Sequence, residues 1–159
     1  MNQVLKKKRN NFLITGTASG LGKYLYNSLG GISLTRQTSK QTLKNINTEG
    51  VEVIIHCAFN FQRDPKNLNQ YFQDNVLLTK ELTKIPHKKF IFISSVDVYP
   101  KNLSKHREDE ILDLNKTDGF YAKTKIMSED LIKKNCVNFL ILRCTSLLGK
   151  DSRNNSLIR

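Results

Sequence analysis

Short apolar runs alternate with longer stretches whose apolar residues recur every three or four positions. Asn11-Phe12-Leu13-Ile14-Thr15 is apolar and ends at a glycine, which predicts a buried strand. Leu21, Leu25 and Leu29 lie four apart and predict a helix over Gly22–Leu29, stopped by Gly30-Gly31. Ile32–Thr35 resumes as a strand, and a weak helix is expected over Ser39–Ile46. Val51–Ala58 is rich in β-branched residues and predicts a strand buried on both faces. Leu68, Tyr71, Phe72, Val76, Leu82 and Ile85 trace a helical face ended by Pro86. Lys89–Ser95 reads as a fourth strand, residues 100–118 as a polar loop, Phe120–Lys134 as a helix and Asn138–Leu142 as a fifth strand. Strands alternating with helices imply βαβ units and an α/β fold, a parallel sheet with helices on both faces.

Length and composition agree with this pattern. The chain has 159 residues, 38% of them hydrophobic, enough for one domain with a core of its own. Its apolar runs fall far short of the roughly 20 residues of a membrane helix. Lys6-Lys7-Lys8-Arg9 is followed by only Phe12, Leu13 and Ile14 before Thr15-Gly16, so no export signal is expected. Cys57, Cys136 and Cys144 are odd in number and widely spaced, reading as core residues in a reducing cytoplasm. The net charge is +12, and the first acidic residue is Glu49. Such a field favours anionic partners, phosphorylated ligands and nucleic acid among them. Basic clusters interleaved with aromatics, which would single out nucleic acid, are missing.

Candidate chemistry gathers where strands end. Thr15-Gly16-Thr17-Ala18-Ser19-Gly20-Leu21-Gly22 joins the first strand to the first helix, where glycines let backbone amides approach a pyrophosphate at the helix N-terminus. The spacing is neither G-x-G-x-x-G nor a P-loop. At the end of the second strand a carboxylate would bind a ribose diol, whereas Arg36 suits a 2′-phosphate. Ser95 closes the fourth strand. Tyr121 and Lys125 lie one turn apart on one helical face, so an ammonium can sit beside a phenol and favour its phenolate, as a general acid/base needs. His56 reads as a packed strand-end histidine, Asn75 as buried and hydrogen-bonded, and Tyr99 as a packing residue. No metal-ligand cluster is expected.

These segments together resemble the short-chain dehydrogenase/reductase superfamily, most closely its extended branch of nucleotide-sugar epimerases, dehydratases and reductases. Val53-Ile54-Ile55-His56-Cys57-Ala58 is similar to that branch's VIHxA strand, and Asn75-Val76-Leu77-Leu78-Thr79 to its NVxGT motif. Ser94-Ser95-Val96-Asp97-Val98-Tyr99 resembles SSxxVYG, Tyr121-Ala122-Lys123-Thr124-Lys125 with Glu129 resembles YxxSKxxxE, and Leu142-Arg143 with Gly149 resembles LRxxxxYG. The resemblance implies a Rossmann-type doubly wound sheet of about five strands over residues 1–149, followed by a polar tail at 150–159 where a substrate domain would begin. It implies a catalytic Ser95, Tyr121 and Lys125, and cofactor contacts from Gly16, Thr17, Ser19, Gly20, Leu21, Gly22, Arg36, Cys57, Ala58, Asn75 and Lys125. The implied cofactor is NAD(P), leaning to NADP because of Arg36, and the implied substrate a nucleotide sugar.

The short span between Arg36 and Val51 predicts that the usual third strand is missing or vestigial. Val96-Asp97 after Ser95 argues against the dehydratases. The expected function is hydride transfer at a hydroxyl-bearing carbon. A non-enzymatic or truncated NAD(P)-binding protein is the alternative, and a homodimer remains open.

Overall fold

The computed structural model describes residues 11–35, 43, 46–60, 68–102 and 104–147. Arg36, most of the helix expected over Ser39–Ile46, and the tail at 150–159 lie outside the described residues. The elements in chain order are β1 (Phe12–Thr15), α1 (Gly20–Leu29), β2 (Ile32–Leu34), β3 (Val53–His56), α2 (Leu68–Phe72), a π-helical turn (Gln73–Leu77), α3 (Leu78–Thr83), β4 (Lys89–Ser95), a 3₁₀ turn (Val96–Val98), α4 (Gly119–Asn135) and β5 (Phe139–Cys144). Among the described residues five strands form one sheet in the order β2-β1-β3-β4-β5, and each of their pairings is parallel. This is the α/β architecture the alternation predicts. Among the described residues no strand lies between β2 and β3.

Apolar burial explains the arrangement. Leu13, Ile54 and Phe90 stand side by side in register across β1, β3 and β4. With Phe92 they pack beneath Leu82 of α3 and Ile132 of α4. The alternate residues Ile14 and Ile55 are also buried, on the opposite face, because a parallel sheet is covered on both sides. In α1 the leucine stripe is covered only in part: Leu21 and Leu25 are half-buried and Leu29 is exposed. β5 stands apart from its neighbours, with Phe139, Leu140 and Leu142 all exposed.

The order of strands fixes where a ligand can sit. From β1 the chain runs to β2 on one side and then returns to β3 on the other, so the crevice outside the ends of β1 and β3 is the topological switch point.

Candidate functional site

Three loops meet at that crevice. The turn after β1 begins with Gly16, whose φ is +75° and whose N–H donates to the Leu34 carbonyl at 2.8 Å. A Cβ at Gly16 would stand 2.9 Å from the backbone nitrogen of Ala58, so only glycine lets the turn lie against the end of β3. A Cβ at Gly22 would stand 2.8 Å from the Thr15 carbonyl oxygen and 2.7 Å from the Gly16 carbonyl carbon. The turn and the first turn of α1 are therefore packed backbone to backbone. Thr17 ties the turn to β2 through its hydroxyl, 2.5 Å from that of Ser33. Ser19 occupies the position before α1 with extended backbone and no side-chain cap, and no acid lies in the first helical turn. Thus the amides around Ser19, Gly20 and Leu21 lie at the positive end of a ten-residue helix. These residues fit a dinucleotide pyrophosphate, which needs close backbone approach and no side chain in the cradle.

A buried hydrogen-bond chain keeps the ends of β1 and β3 aligned. The Ala58 N–H donates to Thr15 Oγ1 at 2.9 Å, and Thr15 Oγ1 lies 2.7 Å from His56 Nδ1. His56 Nε2 lies 3.0 Å from Thr79 Oγ1, whose proton goes to the Asn75 carbonyl at 2.7 Å. That assigns a neutral imidazole with its proton on Nε2, accepting from Thr15 and donating to Thr79. Burial, and secondarily the Lys125 ammonium, push the His56 pKa down to about 3. It is the packed histidine the sequence suggested. Cys57 follows it half-buried, its thiol pushed up to about 12 chiefly by burial, so it remains protonated at neutral pH.

The acid/base candidates come from β4 and α4. Ser95 is buried at the end of β4, and its Oγ accepts the Asp97 N–H at 3.2 Å and lies 3.3 Å from Asp97 Oδ2. Lys125 is buried as well, and its Nζ donates to the Ile93 carbonyl at 2.6 Å, two residues before Ser95. Its pKa is lowered to about 7 by burial, offset in part by the Glu129 carboxylate. Nζ lies 5.8 Å from the Tyr121 ring centroid, so the i,i+4 spacing does bring the two groups to one place. Asn75 sits in the π-helical turn Gln73–Leu77. It is fully buried, and its amide accepts the Asn60 N–H at 2.7 Å and donates to the Asn60 carbonyl at 2.9 Å.

Sequence reasoning missed two groups. Phe59, just after Ala58, places its ring 3.7 Å from Lys125 Nζ, a contact no linear spacing reveals. Glu129 and Arg143, quoted only as motif letters, form a buried pair. Arg143 Nη2 donates to Glu129 Oε2 at 2.9 Å, Ser94 donates to Oε1 at 2.5 Å, and Arg143 Nη1 donates to the Tyr99 hydroxyl at 2.8 Å. Burial opposes the guanidinium's charge, but the bonds to Glu129 and Tyr99 outweigh it and raise its pKa. Tyr99 stacks on His106 at 4.8 Å and donates to the Arg107 carbonyl, so it fastens the loop after β4. Among the described residues no group of His, Cys, Asp or Glu could hold a metal ion, and no helix is long and apolar enough to cross a membrane.

Residues 12–159 match the profile of the NAD dependent epimerase/dehydratase family. The chain belongs to that family. A curated relative, the decarboxylating sterol-4-alpha-carboxylate 3-dehydrogenase of Dictyostelium discoideum, is 25% identical over 154 residues, covering 77% of this chain and 47% of its own. UDP-glucuronic acid 4-epimerase from Bacillus cereus, solved with UDP-glucuronic acid and NAD, superposes with a TM-score of 0.71 at 20% identity, covering 91% of this chain and 59% of the epimerase. A short-chain dehydrogenase/reductase superfamily protein from Agrobacterium tumefaciens with bound NAD gives a TM-score of 0.67 at 22% identity, covering 83% and 48%. This epimerase/dehydratase family chain thus spans about half the length of the relatives it matches.

Proposed function

We propose that the chain is the cofactor-holding half of an NAD(P)-dependent oxidoreductase or epimerase acting on a nucleotide sugar, or a related hydroxyl or carbonyl substrate, by hydride transfer. The observation that carries this reading is the seat of Lys125: a buried ammonium bonded to the Ile93 carbonyl, one helical turn from Tyr121 and just below Ser95. Burying a cation there is costly, and general acid/base chemistry gives it a use. Bound nicotinamide would supply the hydride acceptor or donor.

Tyr121 takes the proton from the substrate hydroxyl on oxidation and returns it on reduction. The Lys125 ammonium stabilises the phenolate between those steps, and with a pKa about 7 it is poised to respond to proton movement beside it. Ser95 holds the substrate oxygen through its hydroxyl. Gly16, Thr17, Ser19, Gly20, Leu21 and Gly22 hold the pyrophosphate, while Cys57 and Ala58 wall the crevice. Asn75 serves by fixing the backbone of Asn60. Arg36 carries the lean to NADP.

Calorimetric titration with NAD⁺ and NADP⁺, followed by turnover of UDP-glucuronic acid in the longest natural form of the protein, tests the reading. Tyr121→Phe is expected to leave dinucleotide affinity within about twofold and to remove at least 99% of turnover, a loss of about a hundredfold or more. Undiminished turnover in the Phe variant, or no affinity for either dinucleotide, refutes it.

A further inference from the structure

Phe59 belongs to none of the motifs, yet it touches both members of the acid/base pair. Its ring face lies 3.7 Å from Lys125 Nζ. Its ring also meets that of Tyr121 edge to face, with centroids 5.3 Å apart and planes at 77°. Tyr71 of α2 meets the same ring in a T-shaped contact at 6.4 Å, and Phe92 of β4 offers the ammonium a second ring at 4.7 Å. The main chain that follows is held from both sides, because Asn75 bonds the N–H and the carbonyl of Asn60.

An ammonium has three N–H bonds, and the Ile93 carbonyl takes one of them. The negative face of an aromatic ring attracts the remaining charge, most strongly where water is excluded. We propose that Phe59 is a positioning residue, holding the Lys125 ammonium on its face and the Tyr121 ring against it, so that the loop after β3 sets the spacing of the pair. The proposal rests on the reading of Tyr121 and Lys125 as acid and base. It adds a residue whose work is done through them.

Two effects of the ring oppose each other and can be separated. Its bulk keeps water from Lys125, which disfavours the charged amine, while its quadrupole favours it. Among the described residues, the other titratable groups around Lys125 are His56 and Cys57 at the end of β3, Glu129 and Tyr121 on α4, and Cys144 on β5. A ring of the same shape with the quadrupole removed leaves burial and all these neighbours in place. The Lys125 midpoint should then fall further below its present value of about 7.

The measurement is NMR titration of ¹³Cε- and ¹⁵Nζ-labelled lysine in the whole chain, with the Lys125 signal assigned by its loss in Lys125→Met. Trifluorophenylalanine incorporated at position 59 preserves the shape of the site. It is expected to lower the Lys125 midpoint by roughly half to one pH unit. Phe59→Leu, which loses bulk and quadrupole together, should shift it by less than the fluorinated ring does, and Phe59→Tyr should leave it within a few tenths of its starting value. A midpoint unmoved or raised by the fluorinated ring overturns the proposal, even if Phe59→Leu proves too unstable to titrate. The titration needs no substrate, so its failure is distinct from the failure of the acid/base reading, which falls if Tyr121→Phe retains turnover or if neither dinucleotide binds.

Discussion

Replacing Arg143 with methionine would leave Glu129 buried without its main partner. The carboxylate is fully buried and takes bonds from Arg143 Nη2 at 2.9 Å, from Nε at 3.2 and 3.3 Å, and from Ser94 at 2.5 Å. Among the described residues, the Ser94 hydroxyl, the half-exposed Lys133, whose ammonium is 3.7 Å away, and the more distant charge of buried Lys125 would remain. Breaking a buried ion pair from one side costs about 3–5 kcal/mol, most of it the stranded charge. That is a large share of the roughly 5–15 kcal/mol that holds a domain folded. In a chain of this size each kcal/mol moves Tm by about 2–4 °C, so Arg143→Met should melt about 6–20 °C lower. The double variant Glu129→Gln with Arg143→Met strands no charge and should recover at least about 1 kcal/mol of the loss. Urea unfolding followed by circular dichroism at 15 °C compares both variants with the unsubstituted chain. A single variant that loses under about 1 kcal/mol, or a double variant no better than it, refutes the view that Glu129 is held by a desolvated partner.

Two further outcomes are expected. Gly22→Ala forces a Cβ against the Thr15 and Gly16 carbonyl groups, so it should cost about 1–3 kcal/mol in urea unfolding and weaken NAD⁺ about tenfold or more in calorimetry; unchanged stability and affinity would mean that the cradle can open. His56 has a folded pKa of about 3 against about 6.5 unfolded, so the unfolded chain binds the extra proton between those values. The stability this gives is complete above about pH 6.5 and lost as the pH falls toward 3; His56→Gln should flatten that part of the urea-midpoint profile, and an identical slope in both proteins would contradict the buried neutral imidazole.

Much of this arrangement was legible because it follows from local rules. Each apolar run that predicts a strand, from Phe12-Leu13-Ile14 to Phe139–Leu142, is a strand in the sheet. The Tyr121–Lys125 spacing puts phenol and ammonium together because i and i+4 share a helix face. What escaped depends on contacts between segments. The stacking of Phe59 on Lys125 joins residues 66 positions apart, and Arg143 finds Glu129 only once β5 lies beside β4. The predicted strand Val51–Ala58 shortens to Val53–His56, because Cys57 and Ala58 turn out of the sheet to meet Gly16. Nor could apolar spacing distinguish one uninterrupted helix from two joined by a wider turn.

That wider turn has a consequence for how the gene can change. Tyr71, Asn75, Thr79 and Thr83 are all buried and fall at intervals of four. In an unbroken α-helix, at about 100° per residue, such a series would drift by about 120° from first to last. The π-helical turn at Gln73–Leu77 absorbs most of this drift, as one inserted residue would. Loss of a single codon there would rewind the helix and rotate everything after it by about a third of a circle. Asn75 could not then hold Asn60 while Thr79 meets His56. This stretch should accept many single substitutions at its exposed positions and reject a one-residue deletion, because it encodes a phase as well as a set of side chains.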